Sequence, residues 1–186
     1  MVDKRIDKTD FTQRQLDKGE YESCVFLDCD FSNSDISDII FLECSFENCN
    51  LSMVKLNRTA LRDIKFTNCK MLGLRFENCS QVGLSVNFNN CNLNLSSFFR
   101  VKLKKTMFRG VKLQEADFSE SDLTSSVFDE CDLTRAAFQG TILEKADFRT
   151  SFNYSIDPEN NRIKGAKFTL AGIPGLLEKY NIEIEF

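Results

Sequence analysis

The sequence predicts a solenoid, in which many short units stack around one shared core within a single chain of 186 residues. Three observations carry that prediction. A large apolar residue returns at every fifth position over most of the chain, a small residue sits two places before it, and the period matches no ordinary element. An amphipathic helix repeats near 3.6 residues and a half-buried strand near 2, so a period of five is neither. A short fixed period sustained over a chain is the mark of a repeat architecture. A five-residue unit cannot bury its own apolar face, so stacked neighbours must share a continuous core.

The first run of large apolar positions is Phe11, Leu16, Tyr21, Phe26, Phe31, Ile36, Phe41, Phe46, Leu51, Leu56, Leu61, Phe66, Met71 and Phe76. The phase then slips by two across residues 81–87, QVGLSVN, which reads either as a bulge in one coil or as a small protruding loop. The second run alternates phenylalanine and leucine: Phe88, Leu93, Phe98, Leu103, Phe108, Leu113, Phe118, Leu123, Phe128, Leu133, Phe138, Leu143 and Phe148. All eight cysteines stand two residues before a large apolar position or its phase-equivalent, a place shared with serine, threonine, alanine and valine. They are read as small buried side chains. Structural zinc calls for closely spaced pairs such as C-x2-C, and this spacing, with no histidine in the chain, does not supply them. No metal is expected.

After Phe148 the apolar centres are lost at Asn153 and Pro158 and return at Ile163 and Phe168. Residues 1–170 are therefore assigned to the repeat region and 171–186 to a C-terminal cap. Pro174 opens a short helix carrying Leu176, Leu177 and Tyr180, since proline is tolerated in a first turn. Ile182, Ile184 and Phe186 alternate with Glu183 and Glu185, which predicts a strand with one apolar face.

An apolar content of 42% against 28% charged residues is the balance of a folded, soluble chain. No apolar run approaches the roughly 20 residues of a membrane span and the start is charged, so a cytoplasmic location with reduced thiols is expected. The net charge of −4 hides a pattern. Acidic against basic residues count twelve to five over 1–50, two to twelve over 51–114 and fourteen to seven over 115–186. A basic middle would ordinarily suggest nucleic acid, but the acidic flanks argue against direct binding. Without histidine no His-based triad can be drawn, and no glycine-rich phosphate loop is present, so neither enzyme activity nor a cofactor is expected. The aspartates before the central residues, Asp117, Asp122, Asp132 and Asp147, interchange with asparagine along the chain and read first as turn formers.

Units such as ADFSE, SDLTS, CDLTR, ADFRT and CNLNL make the chain resemble the pentapeptide-repeat family over nearly all of residues 6–170. That resemblance implies an all-β fold, a right-handed quadrilateral β-helix in which each unit forms one side of a square twenty-residue coil. It also implies an interior filled by side chains, with no cavity for a small-molecule substrate, and about seven to eight coils in a rod of roughly 35 Å. The segment SIDPENNRIKGAKF and the helix–strand tail are similar to the C-termini of one subgroup, the quinolone-resistance proteins and a related microcin immunity protein. In that subgroup the cap is a dimer interface, which here nominates Leu176, Leu177, Tyr180, Ile182, Ile184 and Phe186. Burial of the same residues within one protomer is the alternative.

The subgroup further implies a DNA-mimicking protein that binds DNA gyrase or topoisomerase IV and protects it from drugs or peptide toxins. The competing expectation is a generic interaction scaffold with an unrelated partner. Duplex DNA carries one charge per roughly 1.7 Å, so a dimer of about 70 Å would need about 40 negative charges to match it throughout. Whole-length mimicry fails on a net charge of −4 per chain. A local match at the centre of a tail-to-tail dimer is better, and it nominates Glu115, Asp117, Glu120, Asp122, Asp129, Glu130 and Asp132. The chain also lacks the long projecting loops of the drug-resistance members.

Overall fold

The structure, a computed structural model, describes residues 1–185. Five-residue units form the sides of a square, right-handed coil, and coils stack so that strands pair in parallel along each side. The strands are β1 (Arg5–Asp7), β2 (Glu20–Glu22), β3 (Val25–Leu27), β4 (Ile40–Leu42), β5 (Ser45–Glu47), β6 (Ala60–Arg62), β7 (Ile64–Thr67), β8 (Val86–Asn89), β9 (Met107–Arg109) and β10 (Val127–Asp129). One side of the rod is a seven-stranded sheet in the order β1-β3-β5-β7-β8-β9-β10, and another holds β2-β4-β6. Single bridges continue the first of these through Asp147 to Lys167. The register is twenty residues, as in Phe26↔Phe46, except that Phe66 pairs with Phe88.

The periodic residues point inward as their spacing requires. Phe88, Phe108, Phe128 and Phe148 stack with centroids 4.7–5.2 Å apart, and Phe98, Phe118 and Phe138 stack at 4.9–5.2 Å on the opposite side. The two columns meet edge to face across the core, Phe108 to Phe118 at 6.0 Å and Phe118 to Phe128 at 5.8 Å. Both geometries are favoured by the aromatic quadrupole. Leucines fill the remaining two sides, and Leu123, Leu133 and Leu143 are fully buried.

The small position turns out to donate hydrogen bonds as well as save space. Thr141 Oγ1 donates to the Phe118 carbonyl at 2.9 Å, Cys49 Sγ to Phe26 at 3.3 Å and Cys131 Sγ to Phe108 at 3.4 Å. Each reaches 23 residues back, to the central residue of the coil below. These bonds give inward-facing carbonyls a further donor, the Phe118 carbonyl also accepting the Ser121 N–H at 3.1 Å, and serine, threonine and cysteine each supply one there.

Corners are closed by a residue with positive φ two places after most centres. Asn48 and Gly110 suit that conformation, but Leu95 (φ 62), Arg100 (φ 58) and Lys105 (φ 60) adopt it too. Side chains of these kinds rarely enter the left-handed region on their own, so the ladder on either side overrides the local preference.

The slip at residues 81–87 is a two-residue insertion in one side of one coil. At a strict twenty-residue register the inward position would fall to Gln81, whose amide the apolar interior cannot accommodate. The chain instead bulges. Gln81 Nε2 donates to the carbonyls of Phe76 (3.2 Å) and Cys79 (3.1 Å), Val82 stands 73% exposed, and Leu84 packs against the core. Ser80 and Ser85 hold the bulge to Thr59 and Leu61, so the β2-β4-β6 sheet ends at β6.

At the C-terminus Tyr154 and Ile156 take over the interior where the five-residue pattern lapses, and Ile163 and Phe168 rejoin it half-buried. Helix α1 (Pro174–Leu177) is one turn long, preceded and followed by 3-10 turns at Leu170–Gly172 and Glu178–Tyr180. The strand expected at 182–186 is not formed over the described residues. Alternation sets which face would be apolar, but a strand also needs an edge to pair with, and residues 182–185 pair with none in the protomer. Phe186 lies outside the described residues.

Candidate functional site

With the interior filled, the chemistry left to the chain is on its outer surface. The eight thiols are free and at most 5% exposed. Burial pushes Cys44 up to about 11 and Cys79 and Cys131 up to about 12, so these sulfurs stay protonated and inert. Among the described residues no three His, Cys, Asp or Glu side chains converge as a metal site would require. No helix is long and apolar enough to cross a membrane.

The seven nominated carboxylates occupy one coil, and the coil carries them around all four sides of the rod. Asp117 and Glu120 lie on the Phe118 side, Asp122 on the Leu123 side, Asp129 and Glu130 on the Phe128 side, and Glu115 and Asp132 on the Leu113–Leu133 side. They form a belt. No single face brings more than two of them together.

The coil beneath is its electrostatic complement. Residues 79–114 hold no acidic residue and six cations, Arg100, Lys102, Lys104, Lys105, Arg109 and Lys112, while residues 115–134 hold the seven carboxylates and no cation. Twenty-residue stacking sets one belt on the other. Arg100 pairs with Glu120 at 2.7 Å, Arg109 with Asp129 at 2.9 Å and Lys104 with Asp122 at 3.1 Å, and Arg135 above reaches Glu115 at 3.5 Å. Burial raises Asp132, but bonds from Thr134, Gln114 and Asn153 outweigh it and hold the carboxyl below its ordinary range; Asp122 is held low in the same way by Thr124 and Lys104. Asp117 accepts the Ser119 N–H at 2.8 Å in a local turn. Glu130 has no ion pair among the described residues.

A second acidic region was visible only as a segment sum. Residues 19–54 contain eight carboxylates and no lysine or arginine. Among the described residues only Asp38 of these is ion-paired, to Lys18 and Arg58. The readable signal was a run of 36 residues without a cation.

At the other end, Leu176 is turned into its own core, the fate the intramolecular alternative anticipates, while Leu177 is half-buried. Tyr180, Ile182 and Ile184 are 51%, 56% and 36% exposed. Leu177, Ile182 and Ile184 border an open groove of about 490 Å³ together with Pro174 and Tyr154. The cap is pinned beside this groove. Lys179 bridges Asp157 (2.7 Å) and Glu159 (2.6 Å), the Ile156 N–H donates to the Gly175 carbonyl at 2.9 Å, and any Cβ on Gly175 would collide with the Tyr154 carbonyl.

The family pattern described as the pentapeptide repeat region matches residues 19–82 and 84–152, its break falling on the bulge. No curated protein sequence matches the chain. Among solved structures, a trypsin-treated form of QnrB1, a plasmid-mediated fluoroquinolone resistance protein, superposes with a TM-score of 0.66 at 19% identity, covering 100% of this chain and 97% of that one. A second trypsin-treated form gives 0.64 at 19% identity, with 100% and 98% covered. The full-length protein gives 0.50 at 22% identity, covering 98% and 99%. At these identities the likeness is one of fold.

Proposed function

Since the chain belongs to the pentapeptide-repeat family, we propose that it is a non-enzymatic binding protein that acts through the outside of a filled rod, as a homodimer, on a type II topoisomerase. The observation that carries the reading is the rod itself, with every coil filled and the whole length alike in fold to a fluoroquinolone resistance protein. Dimerisation uses the half-buried Leu177 and the exposed Tyr180, Ile182 and Ile184, with Phe186 beyond the described residues and Leu176 as their buried support. A symmetric contact through one shared patch is the commonest form of self-association.

The enzyme is engaged by the acidic belt, Glu115, Asp117, Glu120, Asp122, Asp129, Glu130 and Asp132. Four of these must exchange an intramolecular cation for one on the partner. Such exposed pairs contribute only about 0–1 kcal/mol each, so the exchange is affordable. The same neutralisation favours a second reading, a scaffold whose partner is unrelated to DNA.

The two readings separate in one experiment. Purified gyrase is assayed for capture by the protein and for supercoiling with and without a quinolone or a peptide toxin. Capture that weakens with salt and is lost when Glu120, Asp129 and Glu130 become lysine supports the topoisomerase reading. Absence of binding at low salt, with supercoiling and drug sensitivity unchanged at large excess of protein, rejects it. Leu177→Asp should leave the β-structure intact and yield a monomer by ultracentrifugation. A wild-type protein already monomeric at tens of micromolar would remove the dimer.

A further inference from the structure

The outward positions of the strands are mostly polar, with a concentrated exception across one edge of the square near the N-terminus. Val25 and Leu27 on β3, and Ile40 and Leu42 on β4, present four partly exposed aliphatic side chains on adjoining sides of the rod. Parallel register sets carboxylates directly beside them. Glu20 is in register with Ile40, Glu22 with Leu42 and Glu47 with Leu27, while Glu43 and Asp28 follow in sequence at the corners. Neighbouring strands lie about 4.8 Å apart, so Leu27, Ile40 and Leu42 each have an acid one strand away or one residue away, while Val25 lies between Arg5 and Ser45.

None of Glu20, Glu22, Asp28, Glu43 and Glu47 is ion-paired among the described residues. Cations border the edge without pairing to these acids: Arg5, in register with Val25 and held by Asp7 at 3.0 Å, Arg62, in register with Leu42, Lys65, in register with Ser45, and the Met1 ammonium, which donates to the Glu20 backbone carbonyl. This differs from the central belt, where a cationic coil lies underneath. Here no carboxylate is committed to an ion pair among the described residues, and the four aliphatic side chains stay partly exposed.

We propose that this edge docks a cationic segment of a protein partner, one in which lysines or arginines alternate with aliphatic side chains. The aliphatics would cover Val25, Leu27, Ile40 and Leu42, and the cations would meet the five carboxylates. A nucleic acid is repelled by the same charges and offers no aliphatic groups to the strip. The inference does not depend on the topoisomerase reading, because it uses a different surface and names its partner by chemistry alone.

The test uses a fluorescent peptide of alternating lysine and leucine, with a lysine–serine peptide and a DNA duplex as competing probes. Binding to the full chain is followed by anisotropy at low and high salt and mapped by amide chemical shifts. Saturable binding is expected, with shifts confined to residues 20–28 and 40–47 and weaker affinity for the lysine–serine peptide. Glu22→Lys with Glu43→Lys should weaken binding about tenfold or more, and Leu42→Ser about threefold. Glu120→Lys with Glu130→Lys should leave it unchanged, and circular dichroism checks that each variant is folded. The proposal is overturned by equal loss in the central variant, by equal affinity for both peptides, by binding of the duplex at this edge, or by no saturable binding at all.

Discussion

Replacing Phe118 by alanine probes how the rod is held together. Its side chain is fully buried between Phe98 at 4.9 Å and Phe138 at 5.2 Å, and Phe108 and Phe128 meet it edge to face. Truncating a buried phenylalanine costs about 3–5 kcal/mol through lost burial and the cavity left behind. Four aromatic contacts, each contributing about 0.5–1.5 kcal/mol beyond area, place this site at the upper end, near 5 kcal/mol.

Phe11 is the control. It lies 6% exposed near the N-terminus and stacks on one ring only, Phe31 at 4.5 Å. Its truncation should cost about 2–3 kcal/mol, because in a stack each unit is stabilised by its neighbours and an end unit has fewer. Urea unfolding followed by far-ultraviolet circular dichroism measures both. With an m-value of about 2–3 kcal/mol/M, the Phe118 variant should lose about 2 M in midpoint and the Phe11 variant about half that. Equal losses at the two sites, or a loss under about 1.5 kcal/mol at Phe118, would refute the stacked-core argument.

Three further outcomes are expected. A thiol reagent should modify none of the eight cysteines in the folded protein within minutes and all eight in denaturant; rapid reaction of Cys44, Cys79 or Cys131 would contradict their burial and raised pKa. Asp35, Asp38, Asp122, Asp132 and Asp147 all titrate below their ordinary range in the folded state. Their contribution is therefore complete above the unfolded value of about 3.9 and lost as pH falls through the lower folded values, so the melting temperature should hold steady down to about pH 5 and drop below about pH 4. Gln81→Leu combined with removal of Val82 and Gly83 should restore a twenty-residue register and about two ladder bonds, stabilising the rod by about 1–3 kcal/mol in thermal melts; a destabilised variant would show that the bulge is needed.

The fold was legible because its period is local arithmetic. Once a five-residue unit is accepted, Phe118 and Leu123 must face inward and Cys131 must share their interior, whatever the rest of the chain does. The position of the slip was legible for the same reason, since the phase of Phe88 against Phe76 is counted directly. Contacts between coils are a different matter. The acidic residues from Glu115 to Asp132 read from the sequence as the acidic centre of a tail-to-tail dimer, and only stacking sets Arg100, Lys104 and Arg109 beneath them, because a Coulomb contact depends on side-chain reach across coils rather than on summed segment charge. Left-handed corners at Leu95 and Arg100 are likewise imposed by the ladder against local preference. The tail shows the limit most plainly. Ile182 and Ile184 alternate as a strand would, but only the tertiary structure decides whether they pair with an edge, and among the described residues they pair with none.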